Sequence, residues 1–282
     1  MTTRAYAKIN LGLHILNKRE DGYHTIETVF HRINLFDTLT FEPASSIILE
    51  CAQTTVPADN TNLCVKAAQK LQQKYEIREG ARIVLRKNIP VGAGLGGGSA
   101  DAATTLLALA KFWNISPAKK ELEQLALELG SDVPYFLGNS SAYATGRGEQ
   151  LEYFDLDVPY WIVTVYPGIH ISTAWAYQNL KLPVHANSRT LKNIIQQYVN
   201  NPSLLKNMIQ NDFEPLVLET HPQIVQLKQD CYDAGAEFSQ LSGSGSAVYA
   251  LFTDESAVEK MKKNLGNRYP VSVTMPHFRI DA

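Results

Sequence analysis

The sequence predicts an α+β fold in two domains, and three observations predict it. The chain has 282 residues, long for one domain and comfortable for two, and 45% of them are apolar, enough for a sizeable core. Strand-like alternation fills the first forty residues and returns near the middle and the end. Elsewhere apolar positions recur at helical spacing, and in the second half three helical stretches follow one another with no strand between them.

Within residues 6–15, Ala7, Ile9, Leu11, Leu13 and Ile15 fall on one face of a strand, and Tyr6, Lys8, Asn10 and Gly12 fall on the other. Asp21-Gly22 is a turn dipeptide, and strand-like segments follow at 26–41 and 47–51. Residues 62–75 read as a helix with Leu63, Ala67, Ala68 and Leu71 on one stripe, and 81–87 as a short strand. A glycine-rich stretch then runs into an apolar helix opening at Ser99 and ending near Trp113. A second helix has Pro117 in its first turn and stops at Gly130. Strands are expected at 141–145, 150–154 and 160–166. The remainder reads as a short helix (172–179), a loop, three helices (189–200, 203–218 and 221–234), a Gly-rich loop, a strand (247–253), a helix (254–264) and a strand (269–274). The domain boundary falls between 154 and 155, giving domains 1–154 and 155–282, although no Pro/Gly-rich linker marks it.

Composition excludes several functions. The net charge of −2 offers no basic field for nucleic acid or an anionic membrane. The longest apolar runs are too short to span a bilayer, and the N-terminus lacks a signal peptide's apolar stretch. Cys51, Cys64 and Cys231 are odd in number and far apart, with no CxxC pair, which fits structural thiols in a reducing cytoplasm.

The chemistry concentrates in Pro90-Val91-Gly92-Ala93-Gly94-Leu95-Gly96-Gly97-Gly98-Ser99-Ala100. Glycine permits positive φ and close approach of a ligand. The following helix start presents free N–H groups and positive dipole to a phosphate. Ser99 reads as the N-cap, or as a hydroxyl facing a phosphate-bound Mg²⁺. A Walker loop would need Gly-Lys-Ser/Thr, and no lysine is present here. A dinucleotide fold would need a more apolar strand before the loop and an acid about twenty residues on, and neither is present.

A third type of loop fits. The stretch resembles the phosphate loop of the GHMP kinases, and two further motifs of that superfamily stand in order: the strand segment Ala7-Lys8-Ile9-Asn10-Leu11-Gly12-Leu13 and the late loop Leu241-Ser242-Gly243-Ser244-Gly245-Ser246-Ala247-Val248. The first motif, with Asp21-Gly22-Tyr23-His24, Thr28 and Leu129-Gly130-Ser131-Asp132-Val133-Pro134-Tyr135-Phe136, closely resembles the 4-diphosphocytidyl-2-C-methyl-D-erythritol kinases of the non-mevalonate isoprenoid pathway. The resemblance implies a two-domain GHMP kinase fold, with an N-terminal domain like domain 2 of ribosomal protein S5 and a ferredoxin-like C-terminal domain. It implies ATP and Mg²⁺, with Ser99 toward the metal, and a cytidine diphosphate-linked polyol as acceptor, phosphorylated on its 2-hydroxyl. Asp132 would be the general base and Lys8 the assisting cation that orients it. Asn10, Tyr23, His24 and Tyr177 would bind the acceptor, with His24 on the cytosine edge and the two tyrosines on its faces. Asp101 is read as facing away from the phosphates. Another GHMP kinase, acting on homoserine or mevalonate, is the alternative, and Asp21-Gly22-Tyr23-His24 argues against it. Oligomeric state is not encoded in any of these features.

Overall fold

The computed structural model describes residues 1–54, 56–183 and 189–280. In chain order the elements are β1 (Thr2–Lys18), β2 (His24–Ala44), β3 (Ile47–Cys51), α1 (Leu63–Tyr75), β4 (Gly80–Arg86), α2 (Gly97–Phe112), α3 (Lys119–Leu129), a 3₁₀ turn (Val133–Leu137), β5 (Ser141–Thr145), β6 (Gln150–Phe154), β7 (Trp161–Val165), α4 (Thr173–Asn179), α5 (Leu191–Tyr198), α6 (Pro202–Met208), α7 (Glu214–Thr220), α8 (Pro222–Asp233), β8 (Phe238–Leu241), β9 (Val248–Phe252), α9 (Glu255–Leu265) and β10 (Val271–Thr274). They fall into two compact units.

The first unit comprises Met1–Ala7, Phe36–Ile89 and Gly96–Asn139. The end of β2 pairs antiparallel with β4, from Thr38↔Arg86 to Ala44↔Gly80, and β4 pairs parallel with β3. A parallel pair needs a crossover, and α1 supplies it. That helix starts where the Asn62 carboxamide caps Cys64 N at 2.9 Å, and it buries the predicted stripe residues Ala67, Ala68 and Leu71. It packs on α2 and α3.

The second unit comprises Lys8–Leu35, Pro90–Leu95 and the described residues from Ser140 on. The first part of β2 pairs with β5, and β5 with β6 in a hairpin. A separate antiparallel sheet has the order β10-β7-β9-β8. Counting those strands in chain order gives 4-1-3-2, the ferredoxin-like arrangement that the resemblance implies. Its apolar face, with Val163, Val165, Val248, Ala250 and Phe252, packs with Ile224, Leu227, Val258, Met261 and Leu265 of α8 and α9.

Most predicted elements form, and the departures have physical causes. On β1, Ala7, Ile9, Leu11, Leu13 and Ile15 are buried as expected, but Lys8 and Asn10 are buried too, because both faces of the strand are covered. Helix α2 begins at Gly97, with Gly96 as its cap at φ 71°, so Ser99 is not the N-cap but lies in the first turn. A left-handed glycine ends the loop one turn earlier than a serine would. Pro117 stays outside α3, whose cap is Ala118. The predicted helix 203–218 is two helices, α6 and α7, interrupted around 209–213. There the backbone bonds to β1 instead: Leu13 N donates to Gln210 O at 2.8 Å and Asp212 N to Leu13 O at 2.9 Å. Pro215 then suits the first turn of α7. Strand β8 lies where only a loop was expected. Of the loop predicted after Asn179, residues 184–188 lie outside the described residues. Among the described residues, no helix is long and apolar enough to cross a membrane. Cys64 and Cys231 are buried free thiols, as read.

Candidate active site

In the second unit, Gly92 and Gly94 of the glycine-rich stretch hold φ of 68° and 78°, a region that side chains with a Cβ rarely adopt. Gly94 is also sterically required: a Cβ there would lie 2.0 Å from Ser242 O. The close approach exists because the late Gly-Ser loop is zipped onto this stretch. Ser242 Oγ donates to Gly94 O at 3.0 Å, and Ala247 N to Ala93 O at 3.1 Å. The late loop is therefore fastened to Ala93 and Gly94 by hydrogen bonds.

The same Gly94 carbonyl accepts from Lys8 Nζ at 3.1 Å. Lys8, 3% exposed, also donates to Asn10 Oδ1 at 2.6 Å and lies 5.0 Å from the Phe30 ring centroid. Asn10 Nδ2 passes the chain on to Thr28 Oγ1 at 2.9 Å, which donates to Gly12 O at 2.6 Å. A buried ammonium is costly unless its hydrogens are satisfied. Here Asn10 Oδ1 and Gly94 O accept from it, and they fix its position. The strand parity that put Lys8 and Asn10 together in the sequence thus places them on one hydrogen-bonded network.

The acceptor-side candidates also lie in this unit. The His24 and Tyr177 rings stack at 4.8 Å with an 18° interplanar angle, and Tyr177 meets Phe213 edge-on at 4.9 Å. One face of Tyr177 is thus covered by His24 itself. Burial lowers the His24 pKa, and Lys18 adds to the effect, so its imidazole is neutral at neutral pH and keeps one donor and one acceptor. Tyr23 is exposed and carries the Arg147 guanidinium 4.5 Å from its ring centroid.

In the first unit, Gly96, Gly97, Gly98, Ser99 and Ala100 form the cap and opening turn of α2, and the first-turn N–H groups there are the anion-binding end of a helix dipole. Asp132 precedes the 3₁₀ turn Val133–Leu137, which Pro134 stiffens, and is half-buried. Lys8 and Asp132 belong to different units. Sequence reasoning missed a charged cluster in this unit. Lys87 Nζ donates to Asp37 Oδ2 and, at 2.6 Å, to Asp101 Oδ2, with all three side chains at most 5% exposed. Asp37 Oδ1 also accepts from Asn88 N and Ile89 N, at 2.5 and 2.8 Å. The cluster so ties the residues just before the glycine stretch to α2. Burial raises the Asp101 pKa to about 7, Lys87 opposing this and Asp37 adding to it. Asp101 is engaged by Lys87. A lysine that the Walker comparison looked for inside the loop stands three residues before Pro90, as a structural cation. Among the described residues, no cluster of three or more His, Cys, Asp or Glu could hold a metal.

The profile of the GHMP kinases N terminal domain matches residues 62–146, and that of the GHMP kinases C terminal matches residues 190–271. The chain is 44% identical over 281 residues to the 4-diphosphocytidyl-2-C-methyl-D-erythritol kinase of Prosthecochloris aestuarii, covering 99% of this chain and 98% of that protein. It is 45% identical over 281 residues to the protein of the same name from Chlorobium phaeovibrioides, covering 99% and 97%. A crystal structure of 4-(cytidine 5'-diphospho)-2C-methyl-D-erythritol kinase superposes with a TM-score of 0.81 at 31% identity, covering 97% of this chain and 98% of that one. The chain is a GHMP kinase, a two-domain phosphotransferase, and within that superfamily it belongs to the 4-diphosphocytidyl-2-C-methyl-D-erythritol kinase family.

Proposed function

We propose that the protein transfers the γ-phosphoryl group of ATP to the 2-hydroxyl of 4-(cytidine 5'-diphospho)-2-C-methyl-D-erythritol, a step of the non-mevalonate route to isoprenoid precursors. The observation that carries this reading is the buried Lys8 ammonium, held by Asn10 Oδ1 and by the phosphate-loop carbonyl of Gly94. A loose phosphoryl-transfer transition state asks for positioning and charge neutralisation more than covalent chemistry. Lys8 is a preorganised cation of that kind, and Asp132 is the base that takes the hydroxyl proton as the oxygen attacks phosphorus. The residues from Pro90 to Ala100 cradle the ATP phosphates. Ser99, in the first turn of α2, would offer Mg²⁺ one hydroxyl ligand, with substrate phosphates and water supplying the rest. Held there, the ion would supply charge neutralisation at the phosphate oxygens.

Asn10, Tyr23, His24 and Tyr177 are proposed to bind the acceptor. The His24–Tyr177 stack and the exposed Tyr23 ring offer aromatic surface to a base, and the neutral His24 pairs with its polar edge. Domains 1–154 and 155–282 remain the proposed division of the chain, supported by family profiles that fall on either side of it. A cytoplasmic location is proposed from the nature of the substrates and the free thiols.

The decisive experiment is ADP release with a panel of acceptors: the cytidyl-methylerythritol compound, homoserine and mevalonate. The expected result is turnover of the first alone, with CMP competing against the acceptor and not against ATP. His24→Ala should raise the acceptor KM and leave the ATP KM intact. Turnover of homoserine or mevalonate, or indifference to cytidine nucleotides, would refute the assignment.

A further inference from the structure

The segment Asn211-Asp212-Phe213 breaks what the sequence predicts as one helix, and the break brings three parts of the second unit together. Asn211 is 2% exposed. Its Nδ2 donates to Leu241 O and to Gly243 O, both at 2.8 Å, and its Oδ1 accepts from Phe213 N at 3.0 Å. Asp212 Oδ2 accepts from Ile15 N at 2.5 Å, on the strand that carries Lys8 and Asn10. The Phe213 ring supports Tyr177 edge-on.

The late loop makes few backbone bonds of its own. Ser242 N donates to Ala247 O and Gly245 N to Ser242 O, both at 2.9 Å, and Gly243 takes φ of 57°. The Leu241 and Gly243 carbonyls flank Ser242, whose hydroxyl bonds Gly94 O, and that oxygen also receives Lys8 Nζ. Gly243 is pressed so close that a Cβ there would lie 3.2 Å from Gly94 O and 3.5 Å from Asn10 Oδ1. One carboxamide therefore stands three contacts away from the Lys8 ammonium.

We propose that Asn211 is a positioning residue for phosphoryl transfer: by holding the Leu241 and Gly243 carbonyls it sets the late loop against Gly94, and through Gly94 it sets Lys8. This rests on the reading of Lys8 as the assisting cation. Asn211 touches no reacting atom. Its effect is on the placement of Lys8, and so falls on turnover more than on substrate affinity.

The test uses the full chain with four proteins: wild type, Asn211→Ala, Asn211→Asp and the core control Val258→Ala. Asn211→Asp keeps an acceptor for Phe213 N and removes both donors, so it isolates the bonds to the loop and also serves if Asn211→Ala does not fold. Displacement of about 1 Å at a positioned group costs on the order of 10²-fold, and that is the expected loss of kcat in both Asn211 variants, with KM for ATP and acceptor changed by less than about threefold. Hydrogen exchange of the peptide covering 241–247 should rise by about tenfold or more in both. Val258→Ala loses stability from the core of the same unit and keeps its kcat. The proposal is overturned if kcat stays within about threefold of wild type, if the loss lies wholly in KM, or if kcat falls while exchange at 241–247 is unchanged. Should wild type not turn over the cytidine acceptor, the functional reading fails on its own. The exchange measurement then supports or overturns the hold of Asn211 on the loop.

Discussion

Replacing Lys87 by Met tests how the glycine stretch is anchored. The substitution keeps much of the side chain's length and apolar stem but removes an ammonium shared by Asp37 and Asp101, whose side chains are 0% and 5% exposed. Removing one partner of a buried ion pair costs about 3–5 kcal/mol, because an uncompensated charge stays behind. Here two carboxylates stay behind, and proton uptake by one of them, already raised by its burial, holds the cost to that range. Asp101→Asn is the matched control. It leaves Lys87 with Asp37 and relieves a like-charge contact, so its cost is about 2 kcal/mol or less. With a urea slope of about 3 kcal/mol per molar, Lys87→Met should lower the unfolding midpoint by about 1–1.7 M. Asp101→Asn should lower it by about 0.7 M or less. Circular dichroism in a urea series measures both. A Lys87→Met cost below about 1 kcal/mol, or a larger cost for Asp101→Asn, would refute the argument that this cation balances two buried acids.

Three further outcomes are expected. Asp132→Asn should lower kcat by about 10²–10⁴-fold with little change in ATP affinity, and near-normal turnover would remove Asp132 as the base. Gly94→Ala should lose about 10²-fold or more in kcat, since its Cβ would meet Ser242 O at 2.0 Å. Gly168→Ala, at a similar φ of 76° with nothing within 4 Å, should cost only about 1 kcal/mol of stability and keep activity, which separates backbone strain from the clash. His31 is buried against Ser141 Oγ at 2.8 Å, and burial first, with Arg279 adding and Asp157 opposing, lowers its pKa to about 4. Below pH 6.5 the unfolded chain gains a proton there that the folded chain refuses. Stability is therefore intact above 6.5 and falls toward pH 4, by about 3 kcal/mol from this group alone. Equilibrium unfolding from pH 7 to 4 should show that limb flattened in His31→Gln, and an unchanged slope would exclude His31 as its source.

The candidate site was largely legible in the sequence because its pieces are local. Positive-φ glycines before a helix, a lysine and an asparagine two apart on one strand, and an Asp before a proline-stiffened turn are all short-range patterns. Backbone sterics and strand parity express them wherever the segment folds. The 62–75 helix and the 141–154 hairpin were legible for the same reason, each having its cap or its partner within a few residues. The errors there were of one turn or less, at helix ends, where a left-handed glycine competes with a side-chain cap.

What the sequence could not show depends on partners far along the chain. Lys87 reaches Asp37, 50 residues away, and Asn211 reaches loop carbonyls 30 and 32 residues away. The pattern at 203–218 is helical by composition, and its only local warnings are Asn211-Asp212 and Pro215. The helix breaks there because β1 offers the Gln210 carbonyl and the Asp212 amide better placed partners than a continued helix would. The burial of Lys8 is of the same kind: strand alternation assigned it a polar face, and only the tertiary structure covered that face and supplied the acceptors that make a buried ammonium tolerable. The sequence by itself determined the chemistry of the side chains and the shape of the loops that bear them. The tertiary structure decided which of those groups are dry, paired and held in place, because desolvation and hydrogen-bond satisfaction are properties of neighbours that only folding brings together.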